Sequence, residues 1–251
     1  MPPRFGKLDI KSWAASAPII DGYGTEPWIL NRAKILNLSH EIDDLSADHL
    51  IPPAMHPVIP CYANLTVGSY PESPAGPFSI AEIRVMGRAG VRPRGFVLVS
   101  FVDNENARRE LAARWGYPVA AGEIHLVERH DRVQGRVTAG GKTVLEIELL
   151  DHDAISGGDI QYVASMHLAR TRHDNKAILV QVDPEYVFIK AERGRPHLIH
   201  CDLEAWRANG YLKFTNPISA TFTTCDVTLP KLRYVCDPIR PALQGTTKVA
   251  A

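Results

Sequence analysis

Glu82 and Arg84 stand two residues apart in FSIAEIRVM, the stretch from Phe78 to Met86. Side chains of a strand alternate between its faces, so Ile80, Glu82, Arg84 and Met86 share one face and Ala81, Ile83 and Val85 the other. A carboxylate and a guanidinium in an apolar wall suit acid–base chemistry. The carboxylate moves a proton while the cation clamps an oxyanion or a substrate carboxylate. Pattern alone favours a different arrangement, with the wholly apolar 81/83/85 face as the core and Glu82 paired with Arg84 outside. His125, in EIHLVERH, is a further proton-moving candidate. It shares a face with Glu123 and Val127, and nothing in the sequence fixes which face is inward.

The remaining polar clusters read as ordinary surface. His197 and His200 are three apart and so fall on opposite faces of a strand; no ligand-spaced partners follow, and no metal is expected. Asp151-His152-Asp153 ends a strand before Gly157-Gly158 and reads as a solvated turn. No GxSxG elbow, phosphate loop or GxGxxG fingerprint occurs, which removes the commonest hydrolase, phosphate and dinucleotide readings.

These candidates must be positioned by strands. From Trp28 onward the chain is dominated by β-type runs, and RVQGRVTAGGKTVLEIELL is a hairpin turning at Gly140-Gly141. Three segments read as helices: Asp43–Ile51, Asn104–Trp115 with Asp103 as N-cap, and Asp202–Gly210 ending on a capping glycine. The first residues are rich in Pro and Gly and read as an irregular arm over 1–27. A single domain follows over 28–238, with a C-terminal tail over 239–251.

With 28 basic and 28 acidic residues the net charge is zero, which gives no electrostatic reason to expect nucleic acid or an anionic membrane. The 45% hydrophobic content suffices for a sizeable core. The start MPPRFGKLDIKSW has no apolar signal core, and no run approaches the ~18 apolar residues of a bilayer span. A cytoplasmic protein is therefore expected, and its four cysteines, widely spaced and without a CxxC pair, are expected to be free thiols.

WGYPVAAG (115–122) builds a rigid turn after a helix, yet presents only valine and alanines. Asp103-Asn104 precedes that helix, Asn31-Arg32 lies on an early strand, Gly76-Pro77-Phe78 opens another, and Asp226 to Pro230 reads DVTLP. In this order and at these separations the motifs resemble the acetoacetate decarboxylase family, over about residues 28–238. The resemblance implies a mainly β, single-domain fold: a closed or cone-like antiparallel β-barrel with an apolar cavity and a few short helices. It also implies a homo-oligomer and a small-molecule substrate, anionic or carbonyl-containing, handled without a bound cofactor.

In that family a lysine of a WGFPKK turn forms a Schiff base with a β-keto acid. Here Val119 and Ala120 occupy the lysine positions, no lysine lies between Lys34 and Lys142, and Ile80 replaces the family's neighbouring glutamate. The resemblance keeps Arg32 as the carboxylate-handling arginine, and places Trp115, Tyr117, Val119 and Ala120 in the pocket wall. It turns the Ile80 face inward, bringing Glu82 and Arg84 with it. The expectation is an enzyme that has abandoned the imine: a lyase of dehydratase or aldol type, an isomerase or a cyclase acting on a keto, enol or hydroxy acid. Arg32 and Arg84 would hold the anionic group, and Glu82 or His125 would move protons. A non-catalytic small-molecule binder retaining the barrel is the alternative; a decarboxylase with a relocated lysine, such as Lys142 or Lys190, is the second.

Overall fold

The computed structural model describes residues 4–208 and 210–249. Near its start lie helix α1 (Ile10–Ala14) and strand β1 (Ile19–Ile20). The long β2 (Trp28–Ile42) leads to α2 (Asp44–Leu50), where the Asp43 carboxylate caps the helix by accepting from the Ser46 N–H. Strands β3 (His56–Pro57), β4 (Tyr62–Tyr70), β5 (Phe78–Ala89) and β6 (Arg92–Val102) follow, then α3 (Glu105–Trp115) and β7 (Val119–Ala121). A meander of β8 (Glu123–Glu128), β9 (Arg132–Ala139) and β10 (Lys142–Ala154) comes next. Beyond it come β11 (Ser165–Thr171), β12 (Ala177–Val182), β13 (Glu185–Cys201) and β14 (Phe214–Leu229). The chain finishes with β15 (Tyr234–Cys236), α4 (Ala242–Gly245) and β16 (Thr246–Lys248).

The fold is mainly β and mainly antiparallel with short helices, as expected. The strands form one sheet in the order β16-β15-β12-β11-β6-β5-β4-β2-β14-β13-β10-β9-β8, with β1 on β11, β3 on β5 and β7 on β6. Among the described strands β16 and β8 remain edges, so the sheet curls without closing. The central strands are consequently buried on both faces. One face packs Leu36, Leu65, Ile83 and Phe101 against the β9–β10 side. The close approach is visible at Gly135 of β9, where an added Cβ would lie 2.9 Å from Val67. The other face packs Ile35, Ile80 and Val102 against Trp115, Val180 and Val235.

One extra residue decides which face β2 offers to which core. Before Asn31, Trp28 and Leu30 point to the second core; after Arg32, Ala33 and Ile35 do so, although simple alternation would send them the other way. Asn31 and Arg32 together oppose Asp226, where the register with β14 shifts, so the pair is a β-bulge. Arg32 takes a φ of 54°, and its N–H donates to Asp226 Oδ1 at 2.8 Å. The Asn-Arg and Asp-Val-Thr-Leu-Pro motifs are thus two halves of one structural device. Trp115 ties in the third motif: its indole N–H donates to the Pro230 carbonyl at 2.8 Å, and its ring meets Trp28 edge-on at 5.2 Å.

Three readings of local structure change. The N-cap of α3 is Asn104, accepting from the Ala107 N–H at 3.0 Å, while Asp103 instead accepts from the Ser79 N–H at 2.7 Å. The helix expected over 202–210 is a series of turns from 203 to 207, ended by Arg207 at a φ of 58°; Asn209 lies outside the described residues. Within the arm, residues 4–27 hold α1 and β1 and bury Leu8, Ile10 and Ile20 in the cores, because apolar side chains flank its prolines and glycines.

Removing the Asp226 carboxylate should cost about 1.5–3 kcal/mol, the value of a charge-assisted hydrogen bond. Asp226→Ala is expected to lower Tm by several degrees in a thermal melt, whereas Thr228→Ala on the same face should leave it nearly unchanged; equal melts would refute the bulge-lock.

Candidate functional site

The site is set by a second bulge. Glu82 pairs with Ser100 and Arg84 with Val97, so Leu98 and Val99 of β6 together oppose Ile83. The bulge sends Leu98, Val99 and Phe101 to the first core and leaves both Val97 and Ser100 on the face of Glu82 and Arg84. Directly opposite residues of antiparallel strands share a face, so the register carries a polar row across the sheet: Ser100, Glu82, Thr66, Asn37 and Thr221. Ser100 Oγ donates to Glu82 Oε1 at 2.7 Å, and Thr66 Oγ1 donates to Asn37 Oδ1 at 2.9 Å.

Glu82 is 2% exposed and fully engaged. Its Oε2 accepts from Arg84 Nε at 2.8 Å and from Arg84 Nη2, while Arg84 Nη1 donates to the Val163 carbonyl at 3.3 Å. Burial works against the Arg84 charge, but the adjoining Glu82 carboxylate holds its pKa above the usual arginine value. Gly95 makes room for this cation: a Cβ there would lie 3.1 Å from Arg84 Cβ. Tyrosines surround the pair. Burial raises the Tyr117 phenol, with the Glu82 charge adding to it, and burial pushes Tyr186 up to about 12 against the pull of Arg84. Both therefore remain hydrogen-bond donors at neutral pH. The Tyr162 hydroxyl lies 2.9 Å from Thr223 Oγ1, and its ring meets Tyr186 at 5.0 Å.

His167 completes this buried polar cluster. It is fully buried on β11, its ring 4.0 Å from that of Tyr117. Nδ1 lies 2.8 Å from the Trp115 carbonyl, which can only accept, so Nδ1 carries the proton. Nε2 is buried with no partner among the described residues. Burial pulls the His167 pKa down to about 4, opposed by the charge of Glu82. The imidazole is neutral at physiological pH and keeps an uncommitted lone pair.

Of the expected site residues, Ile80, Glu82, Arg84, Tyr117 and Val119 meet on this face. Val119 is the parallel partner of Ser100, whereas Ala120 pairs with Phe101 and turns to the first core. Both also border a surface cleft of about 580 Å³ with Pro18 and Phe101. Trp115 contributes its carbonyl to His167, while its ring packs on Trp28. Two candidates are elsewhere. Arg32 is exposed, because the bulge that uses its N–H turns its side chain outward. His125 is exposed on the edge strand β8 opposite Arg136, because Ile124 takes the inward face. All nine lysines are exposed, so neither Lys142 nor Lys190 is a relocated interior amine; Lys190 is held outside by Glu192 at 3.1 Å.

Sequence reasoning missed His167, Tyr186 and Ser100. Every residue from Ser165 to Ala169 is buried, so β11 shows no alternation to give its histidine a direction. No group of three metal-ligating side chains forms among the described residues; His197 lies instead 3.1 Å from Glu148.

The family model for acetoacetate decarboxylase (ADC) matches residues 16–237. Solved structures share the fold at low identity. An acetoacetate decarboxylase from Legionella pneumophila subsp. pneumophila str. Philadelphia 1 is 18% identical with a TM-score of 0.73, covering 85% of this chain and 88% of that one. The enduracididine biosynthesis enzyme MppR, complexed with pyruvate, is 17% identical with a TM-score of 0.70 over 86% and 97%. An acetoacetate decarboxylase-like enzyme from Sphingomonas wittichii RW1 is 18% identical with a TM-score of 0.66 over 82% and 90%. No curated protein matches the chain by sequence.

Arg84→Met leaves a buried unpaired carboxylate and should cost about 3–5 kcal/mol, while Glu82→Leu/Arg84→Met should regain most of that. Urea midpoints of the three proteins check this, and a single variant as stable as the parent contradicts the pairing. His167 has a folded pKa below its unfolded one, so its contribution is complete above about pH 6.5 and is lost as pH falls toward 4. His40, buried and also lowered by burial, acts in the same direction. Urea titrations across that window should show uptake of about one proton fewer on unfolding in His167→Gln than in the parent.

Proposed function

The chain belongs to the acetoacetate decarboxylase family, and from that membership we propose that it is an enzyme acting without a Schiff base on a small keto, enol or hydroxy acid. The observation that carries this reading is the convergence of Arg84, Glu82 and His167 where Val119 stands at the family's lysine position. A chamber lined by apolar groups alone would have favoured a non-catalytic binder. An arginine, a carboxylate and a histidine with a free lone pair favour chemistry.

The reaction class is proton transfer at carbon beside a carbonyl. Glu82 binds two nitrogens of Arg84 and fixes its guanidinium, so Glu82 is a positioning residue rather than the base. Arg84 and the Tyr186 phenol polarise the substrate carbonyl. His167 Nε2 takes the α-proton; the C–H electron pair moves into a C–C double bond and the carbonyl pair onto oxygen, giving an enolate beside the cation. In a dehydration the enolate re-forms its carbonyl, expels the β-hydroxyl, and the proton on Nε2 leaves with it as water. Returning the proton to another carbon gives an isomerase, and attack of the enolate on a second carbonyl gives an aldol or cyclase outcome. No cofactor is required by this sequence. Cytoplasmic location and homo-oligomeric assembly complete the proposal; exposed Ile29, Val187 and Ile189 provide apolar surface for a second copy.

The direct test is α-proton exchange in deuterium oxide, followed by NMR with pyruvate, 2-oxobutyrate and acetoacetate as probes. Exchange above the buffer rate is expected, falling 10²–10⁴-fold in His167→Gln, the usual contribution of a positioned base. Borohydride with the same probes should leave the intact mass unchanged. An imine adduct, or exchange indifferent to His167, would overturn the reading.

A further inference from the structure

Next to the segment that Arg84 touches lies a cleft that the chemistry above does not use. It has a volume of about 500 Å³, and Tyr162 and Val163 form part of its lining. Four cations, Arg92, Arg94, Lys231 and Arg233, face two carboxylates, Asp183 and Glu185. A second cleft of about 900 Å³ shares Glu185, Lys231 and Arg233 and adds Lys248, so cations outnumber carboxylates there too.

Arg94 is the distinctive member. It lines the cleft yet is only 6% exposed. Nη2 lies 2.9 Å from Asp183 Oδ1, Nη1 donates to its neighbour's carbonyl at Pro93, and Nε is buried without a partner among the described residues. Burial lowers the Arg94 pKa, with Asp183 opposing and the like charge of Arg92 adding to the fall. One carboxylate therefore does not meet the needs of this guanidinium, and a second anion nearby would. Lys231 is occupied by Glu26 at 3.2 Å, but Arg92 and Arg233 make no ion pair among the described residues. Forked guanidinium donors match the oxygens of phosphate and carboxylate.

The cleft is coupled to the chamber by one short segment. Val163 accepts from Arg84 through its carbonyl, and Ala164 accepts from the N–H of Gly95, the residue after Arg94, at 2.9 Å. Arg84 and Gly95, the neighbour of Arg94, are thus both tied to the 163–164 backbone. We propose that this cleft binds a compact anionic group of the substrate, a phosphate or a carboxylate, held by Arg94 with Arg92 and Arg233, while the carbonyl end enters the chamber. The assignment rests on the function proposed above and adds to it that the substrate carries a second, distal anion.

Isothermal titration at constant ionic strength tests it, with inorganic phosphate in one arm and succinate in the other. Saturable binding is expected in at least one arm: phosphate alone marks a phosphate ester, succinate alone a carboxylate, and each supports the site. Affinity should fall at least tenfold in Arg92→Gln/Arg233→Gln, whose exposed side chains can be changed without risk to the fold, and in Arg94→Gln, and it should be retained in Tyr117→Phe. No saturable binding in either arm, or affinity unchanged in the Arg92→Gln/Arg233→Gln protein, overturns the proposal. Because binding is read without turnover, failure of the proton-exchange experiment leaves this result standing, and failure here leaves that one standing.

Discussion

An extra residue in a strand exchanges the two faces of everything beyond it, and this constraint organises the whole protein. The central strands are buried on both sides, so each delivers side chains to two cores. Along β2, which runs from Trp28 to Ile42, unbroken alternation with Ala33 and Ile35 would turn Trp28 and Leu30 away from the second core. The bulge at Asn31–Arg32 lets one end of β2 serve the second core while the rest supplies Leu36 and Leu38 to the first. The bulge at Leu98–Val99 does the same for β6 and leaves Ser100 beside Glu82. Since bulged backbone is unpaired, something must hold it; at the first bulge that is a carboxylate from the adjoining strand.

Near Val119 this sheet carries a buried ion pair, a different kind of charge from an interior amine. An interior amine must be kept partly neutral to act as a nucleophile, which takes burial and a cationic neighbour. An arginine cannot lose its proton and so cannot play that part, but it can stay charged in a dry site if a carboxylate is bound to it. Glu82 and Arg84 form such a unit, with Ser100 also donating to the carboxylate and the Val163 carbonyl accepting from the guanidinium. Fixed in place, the cation needs no reorganisation when negative charge develops on a substrate oxygen. The neutral His167 nearby avoids a second positive charge in the same low-dielectric space.

Much of this was legible in the residues. The hairpin at Gly140-Gly141, the helix ending at Trp115 and the β-rich body follow from turn chemistry, capping and alternation. Motif order identified the family, and the Ile80 face of β5 is buried, as is the face opposite. Periodicity misjudged β5 because both its faces are buried, so the apolar 81/83/85 row could not be told from an only core. Arg32 was misplaced because the bulge depends on a contact with Asp226, 194 positions away in sequence. His125 follows the WGYP turn closely in sequence, whereas His167 reaches that turn by pairing of β11 with β6. Long-range register, invisible to local pattern, accounts for each of these differences.

The location of the lysines has a practical consequence. Every primary amine on a side chain sits on the outer surface, while the buried polar cluster is made of guanidinium, phenol, imidazole and carboxylate. Amine-directed chemistry therefore sees only the shell of this protein. Tethering to a support, fluorescent tagging or cross-linking through lysine can be carried out with the interior chemically untouched, a freedom that members relying on a reactive interior lysine do not share.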